Sequence, residues 1–307
     1  MGTTADRNTA VAERLGVLVN PTSGKGKGAA AGVVVFDTLA RLGIDAVDLS
    51  GRDMAEALAN GRAALADGSV TGIVVVGGDG MAHLGVNLCA ETTIPLGIVG
   101  VGTGNDSARS LGLPVGDAAA ATEQIVRRIG AAKPIDAIRL NSSTGQHWVL
   151  GTASAGFDAL VNQRANRMSW PKGQRRYELA MLLELVKFRP LQYALEVDGK
   201  ARKIEAMLCA AANGPAFGGG MLIAPEANME DGLLDLFIVH KISRLELIKI
   251  FPKVYTGGHV GHPAVEIVRA KHVKIDSGHM PAYADGESVG RGPLEAKLVP
   301  RALLAFA

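Results

Sequence analysis

Apolar positions in the first third of the chain alternate between short continuous runs and longer stretches with helical spacing. The short runs predict strands, and they are Leu15–Val19, Ile44–Leu49, Val74–Val76 and Pro95–Val99. The stretches that follow them predict helices, which end near Leu42, span Met54–Ala66 and Met81–Cys89, and carry Arg109. This repeated alternation predicts a mostly parallel sheet with helices on both faces.

A different pattern begins at about Lys133, where strand-like segments follow one another. They are Ile138–Leu140, His147–Thr152, Leu191–Val197, Lys203–Ala211, Leu234–His240, Val265–Ile275 and Leu294–Val299. Asp198-Gly199 is a typical hairpin turn, and only Tyr177–Phe188 and Arg244–Tyr255 show helical spacing. We therefore predict a disordered lead-in over 1–14, an α/β domain over 15–135 and an antiparallel β domain over 136–295.

Composition narrows the classes of partner. The 307 residues carry a formal net charge of +2 and few aromatic side chains, so nucleic acid is not an expected partner. Cys89 and Cys209 lie in apolar segments, where a small buried thiol and a reducing, cytoplasmic compartment are the expected reading. No apolar run approaches the ~20 residues that a membrane-spanning helix needs.

Three of the predicted strands of the first half end in glycine-rich turns. These turns are Asn20–Gly28, Gly77–Gly80 and Gly100–Asp106. Glycine lets a chain turn sharply and lets an anion approach bare backbone amides, and parallel strands place their carboxyl ends at one edge of a sheet. The three turns together therefore predict a phosphate-binding edge. Asp79 lies within the second turn, where it must either hold a metal ion or handle a proton.

Two other groups of carboxylates are candidate sites, each with a simpler alternative. Asp231 lies in a long glycine-rich connection, where it either joins carbonyl oxygens around Mg²⁺ or forms a plain Asp-Gly turn. Asp285 and Glu287 would face one site if they lie on a strand, whereas a turn at Gly286 would leave both solvated. As a site, the pair supplies a group that orients metal and a base for phosphoryl transfer.

Together these motifs resemble the diacylglycerol kinase catalytic-domain superfamily of lipid kinases nearly end to end. The resemblance rests on seven motifs in the family's order, which are Asn20-Pro21-x-Ser23-Gly24, Gly77-Gly78-Asp79-Gly80, Gly102-Thr103-Gly104-Asn105-Asp106-x-Ala108-Arg109-x-Leu111-Gly112, Gly156-Phe157-Asp158, Asn213-Gly214 with Gly218-Gly219-Gly220-Met221, Asp231-Gly232-x-x-Asp235 and Asp285-Gly286-Glu287. It implies a nucleotide-binding α/β domain like that of phosphofructokinases and NAD kinases, completed by about 296–307. It also implies a β-sandwich lipid-substrate domain, with ATP in the cleft between the two.

The resemblance carries the family's site residues onto matching positions. Contacts to ATP are implied for Asn20, Pro21, Thr22, Ser23, Gly24, Ser50, Gly77, Gly78, Asp79, Gly80, Gly102, Thr103, Asn105 and Asp106. Glu287 matches the family's proton acceptor, and we expect Asp79 and Asp285 to organise the Mg²⁺ that bridges the phosphates. A structural Mg²⁺ is implied at Asn228, Asp231 and Leu233, the outer two through backbone carbonyls.

One motif departs from the family pattern. Met81, His83 and Leu84 follow Gly80, where the family usually has Thr and then an Asn-Glu pair, so a hydroxyl that could contact phosphate or metal is missing.

We predict an ATP-dependent lipid kinase, with diacylglycerol as the acceptor and phosphatidic acid as the product by resemblance. A kinase of sphingoid bases, ceramide or another lipid alcohol is the alternative acceptor class, and a non-catalytic nucleotide or lipid sensor is the alternative function. We expect a cytoplasmic protein that attaches peripherally to the membrane holding its lipid substrate; the sequence leaves a homodimer open.

Overall fold

The computed structural model describes residues 13–171, 176, 179, 180, 183, 184 and 189–307. An α/β half with a parallel sheet is followed by a mostly antiparallel β half, which confirms the predicted fold class. The lead-in predicted over 1–14 and the helix predicted over Tyr177–Phe188 lie largely outside the described residues. Among the helices that are described, none is long and apolar enough to cross a membrane.

The α/β half is built from short buried strands joined by helices. Its elements are β1 (Arg14–Val19), α1 (Ser23–Arg41), β2 (Asp45–Asp48), α2 (Met54–Ala66), β3 (Gly72–Gly77), α3 (Asp79–Cys89), β4 (Leu96–Gly100), α4 (Asp106–Ser110) and α5 (Ala118–Arg127). The strands pair in parallel in the order β2-β1-β3-β4, and every residue of β3 is buried because helices cover both faces of the sheet. Since β1, β3 and β4 are neighbours, the three glycine-rich turns that follow them lie side by side at one edge.

The β half contains longer strands and fewer helices. Its elements are β5 (Lys133–Ser142), β6 (Gly145–Val149), β7 (Thr152–Gly156), α6 (Phe157–Arg167), β8 (Leu191–Val197), β9 (Lys200–Ala212), β10 (Leu234–His240), α7 (Arg244–Ile250), a 3-10 helix (Phe251–Thr256), β11 (Val265–Ala270), β12 (His272–Asp276), β13 (Pro281–Ala284), β14 (Glu287–Arg291) and β15 (Leu294–Ala305). Asp198 and Gly199 both have positive φ, which confirms the predicted hairpin turn between β8 and β9.

Several predicted elements of this half differ in extent from the observed ones, and two of them are interrupted. The strand predicted over Val265–Ile275 is two strands, because β11 pairs with β10 whereas β12 pairs with β8 and β15. Lys271 lies at the break, where its amide donates to the Asp198 side chain at 3.1 Å. The helix predicted over Arg244–Tyr255 is α-helical only to Ile250, because Pro252 lacks the amide hydrogen that would continue it.

β10 separates two apolar layers of the β half. Leu234, Leu236 and Ile238 point into the interior of the sandwich, whereas Phe237 and Val239 point to the opposite face of the sheet. That opposite face is covered by α6, α7 and the 3-10 helix, which we call the helical layer. The strict alternation of buried residues therefore places a second apolar core outside the sandwich.

β15 joins the two halves of the chain. It pairs antiparallel with β5 and β12, and at its end Ala305 pairs in parallel with Leu96 of β4. Asp136 of β5 is 1% exposed and accepts the amides of Gly232 and Arg301, each at 2.8 Å. This buried carboxylate fixes the middle of β15 to the connection that precedes β10.

Candidate active site

Hydrogen bonds and glycines within the chain fix the shape of the turn after β1. The side-chain oxygen of Asn20 accepts the amide of Thr22 at 3.0 Å and its hydroxyl at 2.8 Å. Gly24 begins a left-handed stretch at φ 59°, and Gly28 lies so close to this turn that a Cβ there would be 1.9 Å from the Asn20 carbonyl oxygen. The glycines therefore let α1 start directly against the turn.

Asp79 braces the turn after β3 against the turn after β4. Its two carboxylate oxygens accept the amides of Asn105 at 2.8 Å and Ser107 at 3.2 Å. Burial, followed by the nearby charge of Asp106, raises the pKa of Asp79 to about 6. Both oxygens thus hold backbone amides, and the predicted role of Asp79 in organising magnesium stays a prediction.

The turn after β4 reaches across to the β half. Asn105 is buried and left-handed, and its side chain accepts the Gly102 amide at 2.8 Å and donates to the Gly102 carbonyl at 2.9 Å. Asp106 accepts the amide of Gly219 at 2.6 Å and pairs with Arg109 at 3.0 Å. Asp106 therefore links the start of α4 to the glycine loop at 218–220.

Asp285 lies in the tight turn between β13 and β14, not on a strand. Asp285 and Gly286 have φ of 47° and 84°, which resolves the two alternatives in favour of a hairpin turn. The carboxylate is nevertheless only 3% exposed, because it accepts the amides of Leu150 at 2.9 Å, Gly151 at 2.8 Å and Thr152 at 3.1 Å. These bonds turn the chain between β6 and β7, so the single strand predicted over His147–Thr152 is wrong.

Two adjacent pockets open at this edge of the molecule. The loop pocket is lined by Asn20, Ser23, Gly24, Met54, Gly78, Gly80, Met81, Gly102, Thr103 and Glu287. The cleft pocket is lined by Asp79, Gly80, Thr103, Gly104, Asp106, Ser107, Arg109, Gly151, Thr152, Arg176, Ala216, Phe217, Gly218, Gly219, Asp285, Gly286 and Glu287. Gly80, Thr103 and Glu287 line both pockets and so form their common wall.

Glu287 stands on that common wall, exposed to the cleft. A Cβ on Gly80 would lie 2.5 Å from its Oε1, so a larger residue there would push the end of the Glu287 side chain away. Partial burial raises the pKa of the Glu287 carboxyl, and the nearby His83 partly offsets this by lowering it. A carboxylate with a raised pKa that reaches two pockets has the position and basicity of a general base.

His83 is a neighbour of this carboxylate that the sequence analysis noted only as a departure from the family pattern. Its Nδ1 lies 3.7 Å from the Asp285 carboxylate, and that nitrogen has no hydrogen-bond partner in the described part of the chain. Its ring centroid is 6.1 Å from that of His147. His83 follows Asp79 by four residues on α3, and this spacing places both on one helix face toward the site.

Several predicted nucleotide contacts are not brought to either pocket. Among the described residues, the lining of both pockets lacks Pro21, Thr22, Ser50, Gly77 and Asn105. The Ser50 hydroxyl oxygen instead accepts the amide of Val19 at 2.9 Å, so it fixes the end of β1. The cleft pocket adds two cations, Arg109 and Arg176, that are not among the predicted site residues. Arg176 is far along the chain from the lining residues of the α/β half, so no spacing in the sequence indicates that it joins this pocket.

The residues implied for a structural magnesium form a turn. Asp231 accepts the amide of Leu233 at 3.0 Å and forms an ion pair with Arg269. Asn228 accepts the amide of Glu230 at 3.1 Å through its side chain. In the part of the chain that the structure describes, no group of three or more His, Cys, Asp or Glu side chains could hold a metal ion. The implied set has one carboxylate and two backbone carbonyls, which a grouping of side chains does not test, so the magnesium at Asn228, Asp231 and Leu233 stays a prediction.

Comparisons with known proteins find relatives of both halves of the chain. The family model "Diacylglycerol kinase catalytic domain" matches residues 14–140, and "YegS C-terminal NAD kinase beta sandwich-like domain" matches residues 151–307. The diacylglycerol kinase of Mycobacterium tuberculosis (strain ATCC 25618 / H37Rv) is 40% identical over 288 residues, covering 93% of this chain and 92% of the relative. That of Bacillus subtilis (strain 168) is 31% identical over 226 residues, 73% of each chain. A crystal structure of a diacylglycerol kinase from Bacillus anthracis str. Sterne, 22% identical, shares the fold with a TM-score of 0.71 over 96% of both chains.

Proposed function

This chain belongs to the diacylglycerol kinase catalytic-domain family of lipid kinases, and from that premise we propose that it transfers the γ-phosphoryl group of ATP to a lipid hydroxyl, with diacylglycerol as the acceptor. The observation that carries the proposal is the position of Glu287 on the wall between the loop pocket and the cleft pocket. In a phosphoryl transfer the acceptor hydroxyl must lie between the base and the γ-phosphorus, and a carboxylate that reaches two adjacent pockets supports a meeting of donor and acceptor at this wall.

The loop pocket suits the phosphates of ATP. The backbone of the three glycine-rich turns and the hydroxyls of Ser23 and Thr103 line it, and Glu287 is its only carboxylate among the described residues. Such a surface offers hydrogen-bond donors with little opposing charge. The nucleotide enters with its own magnesium as the MgATP substrate. Met54 and Met81 add polarizable apolar contacts in the loop pocket. Met81 stands where the family usually has a hydroxyl side chain.

The cleft pocket suits a lipid with a polar glycerol end. Ala216 and Phe217 supply apolar lining, and Arg109 and Arg176 supply hydrogen-bond donors. The Nε of Arg176 is buried without a hydrogen-bond partner among the described residues, so an ester carbonyl of the acceptor would satisfy it. An orphaned donor of this kind suits an acceptor lipid that carries oxygen acceptors beside its reactive hydroxyl, as the two esters of diacylglycerol do.

The chemistry follows from the shared wall. The acceptor hydroxyl gives its proton to the Glu287 carboxylate as its oxygen bonds to the γ-phosphorus, and the bond from that phosphorus to the β–γ bridging oxygen breaks to release ADP. Because the transition state is loose and anionic, positioning by the turns contributes most of the rate enhancement. General-base catalysis by Glu287 contributes on the order of 10²–10⁴-fold.

The test is transfer of label from γ-labelled ATP to a panel of lipids in detergent micelles. We expect label in diacylglycerol, and a loss of kcat on the order of 10²-fold or more in Glu287→Gln with ATP binding retained. Glu226→Gln is the matched control, since Glu226 is an exposed carboxylate outside both pockets. Label in ceramide or a sphingoid base alone would refute diacylglycerol as the acceptor. Binding of ATP without transfer to any lipid would refute the kinase and favour the sensor.

A further inference from the structure

Exposed apolar side chains of the β half are concentrated at one place. Among the described residues from 133 onward, the large apolar side chains that are exposed are Trp170, Leu183, Leu245, Ile248 and Val260, with exposed fractions of 75%, 41%, 73%, 45% and 43%. All of them belong to the helical layer or to the segments that adjoin it. Two of them, Leu245 and Ile248, lie three residues apart on α7, so they share one side of that helix.

α7 and the 3-10 helix are apolar on two opposite sides. Leu247 and Val254 pack inward against the sheet. Leu245, Ile248 and Pro252 are spaced three and four residues apart, so they form an outward stripe, and all three are exposed. A surface helix of a soluble protein normally carries polar residues on its outer side, so this stripe indicates a binding surface.

Cations border this stripe. Arg244, Lys249 and Lys253 are exposed along α7 and the 3-10 helix, and these two elements carry one carboxylate side chain, Glu246. Glu246 lies 3.4 Å from His262, and neither lysine forms an ion pair with any residue in 13–171 or 189–307. An apolar stripe bordered by long cationic side chains matches a bilayer interface, where the apolar groups enter the acyl boundary and the cations reach anionic headgroups.

The helical layer also adjoins the entrance of the cleft pocket. Phe217 lines that pocket and packs against the same apolar core as the helical layer. Farther along the same loop, the Leu222 amide donates to the Val254 carbonyl at 2.9 Å, so the loop is tied to the 3-10 helix. A bilayer against the helical layer would therefore lie next to the loop at 217–222, where an acceptor lipid would enter.

We propose that the outer side of α7 and the 3-10 helix docks on an anionic lipid bilayer and presents the cleft pocket to it. This inference rests on the proposed lipid-kinase function and adds the surface by which the enzyme reaches its substrate. The occupant is the membrane itself, because a stripe of aliphatic groups bordered by cations combines apolar insertion with attraction to anionic headgroups.

The experiment measures binding of the full chain to vesicles of phosphatidylglycerol and phosphatidylcholine in equal parts, by flotation. Leu245→Ser/Ile248→Ser should weaken binding by at least about tenfold. Lys249→Glu/Lys253→Glu should weaken it by at least roughly thirtyfold, since the loss of each cation near an anionic surface costs about fivefold and each glutamate adds a repelled charge. Val33→Ser/Val34→Ser and Lys200→Glu/Lys271→Glu are matched controls at exposed positions outside the layer, and they should bind as the wild type does.

Further readouts separate this proposal from the proposed function. Both α7 variants should keep wild-type phosphate transfer to diacylglycerol in detergent micelles and lose it on vesicles. Wild-type vesicle binding by these variants would overturn the docking surface while leaving the kinase intact, and absent micellar transfer in the wild type would overturn the kinase instead. A change of oligomeric state in the α7 variants, measured by light scattering, would assign the stripe to a second copy of the chain and overturn the proposal.

Discussion

Replacing Asp285 with asparagine tests whether this carboxylate acts as a structural brace. The ionised group accepts three backbone amides, from Leu150, Gly151 and Thr152, and it is almost fully buried. Asparagine keeps one acceptor oxygen, which can serve the amides of Gly151 and Thr152. Its NH₂ group would face the Leu150 amide, and these two hydrogen-bond donors cannot bond to each other.

The structure sets the expected magnitude. One charge-assisted bond worth about 1.5–3 kcal/mol is lost, and the other two become neutral bonds worth about 0.5–1.5 kcal/mol each. We therefore expect Asp285→Asn to lower the free energy of unfolding by about 5 kcal/mol, a large part of the stability of an ordinary domain. Urea unfolding followed by circular dichroism measures it, with the slope of the transition checked for constancy.

The control is Asp37→Asn, at an exposed helical position, which should change stability by less than about 0.5 kcal/mol. If Asp285→Asn is as stable as this control and has nevertheless lost phosphate transfer, Asp285 is not a structural brace. That pair of results would mean that Asp285 acts on the substrate or its magnesium, and that its three amide bonds contribute little to the fold.

Three further perturbations address the site. His83→Asn should move the acid limb of the kcat/KM pH profile to higher pH, because His83 lowers the pKa of Glu287 and only the ionised base is active; an unmoved limb contradicts this. The pKa of Asp79 is raised from 3.8 to about 6, so its stabilising contribution is complete below the unfolded value and is lost as pH rises through about 6. Relative to Asp79→Asn, the wild type should therefore lose about 3 kcal/mol of unfolding free energy between about pH 4 and about pH 7, and parallel urea titrations of the two proteins would refute the shift. Gly80→Ala places a Cβ 2.5 Å from the Glu287 oxygen and should lower kcat on the order of 10²-fold, whereas Gly261→Ala, with open space around it, should not; equal rates would show that the contact is unimportant.

Local signals in the sequence account for the α/β half except α5, which is absent from the predicted elements. β3 is a continuous apolar run between turn residues, and such runs predict buried parallel strands whatever their neighbours. The β half is less predictable, because its shortest strands depend on distant partners. Neither β13, with four residues, nor α6, with little apolar content, has a pattern strong enough to be recognised, and both are absent from the predicted elements.

The site shows the same division between local and distant information. The glycine turns and Glu287 can be predicted from motifs, because each lies within a few residues of the motif that indicates it. The bonds of Asp285 reach residues more than 130 positions earlier, and the link from Asp106 to Gly219 crosses 113 positions. Spacing along a chain carries no record of such contacts, so the bracing of Asp79 and Asp285 emerges only from the fold.

The pairing of β15 with both halves has a mechanical consequence. A hinge would need a segment that can change direction without losing hydrogen bonds, but this twelve-residue strand is paired with β12 and β5 before a bulge at 300–302, and with β5 and β4 after it. A change in the angle between the two halves would have to concentrate at that bulge or break ladder bonds. The two halves are thus joined by a paired strand and not by a free linker.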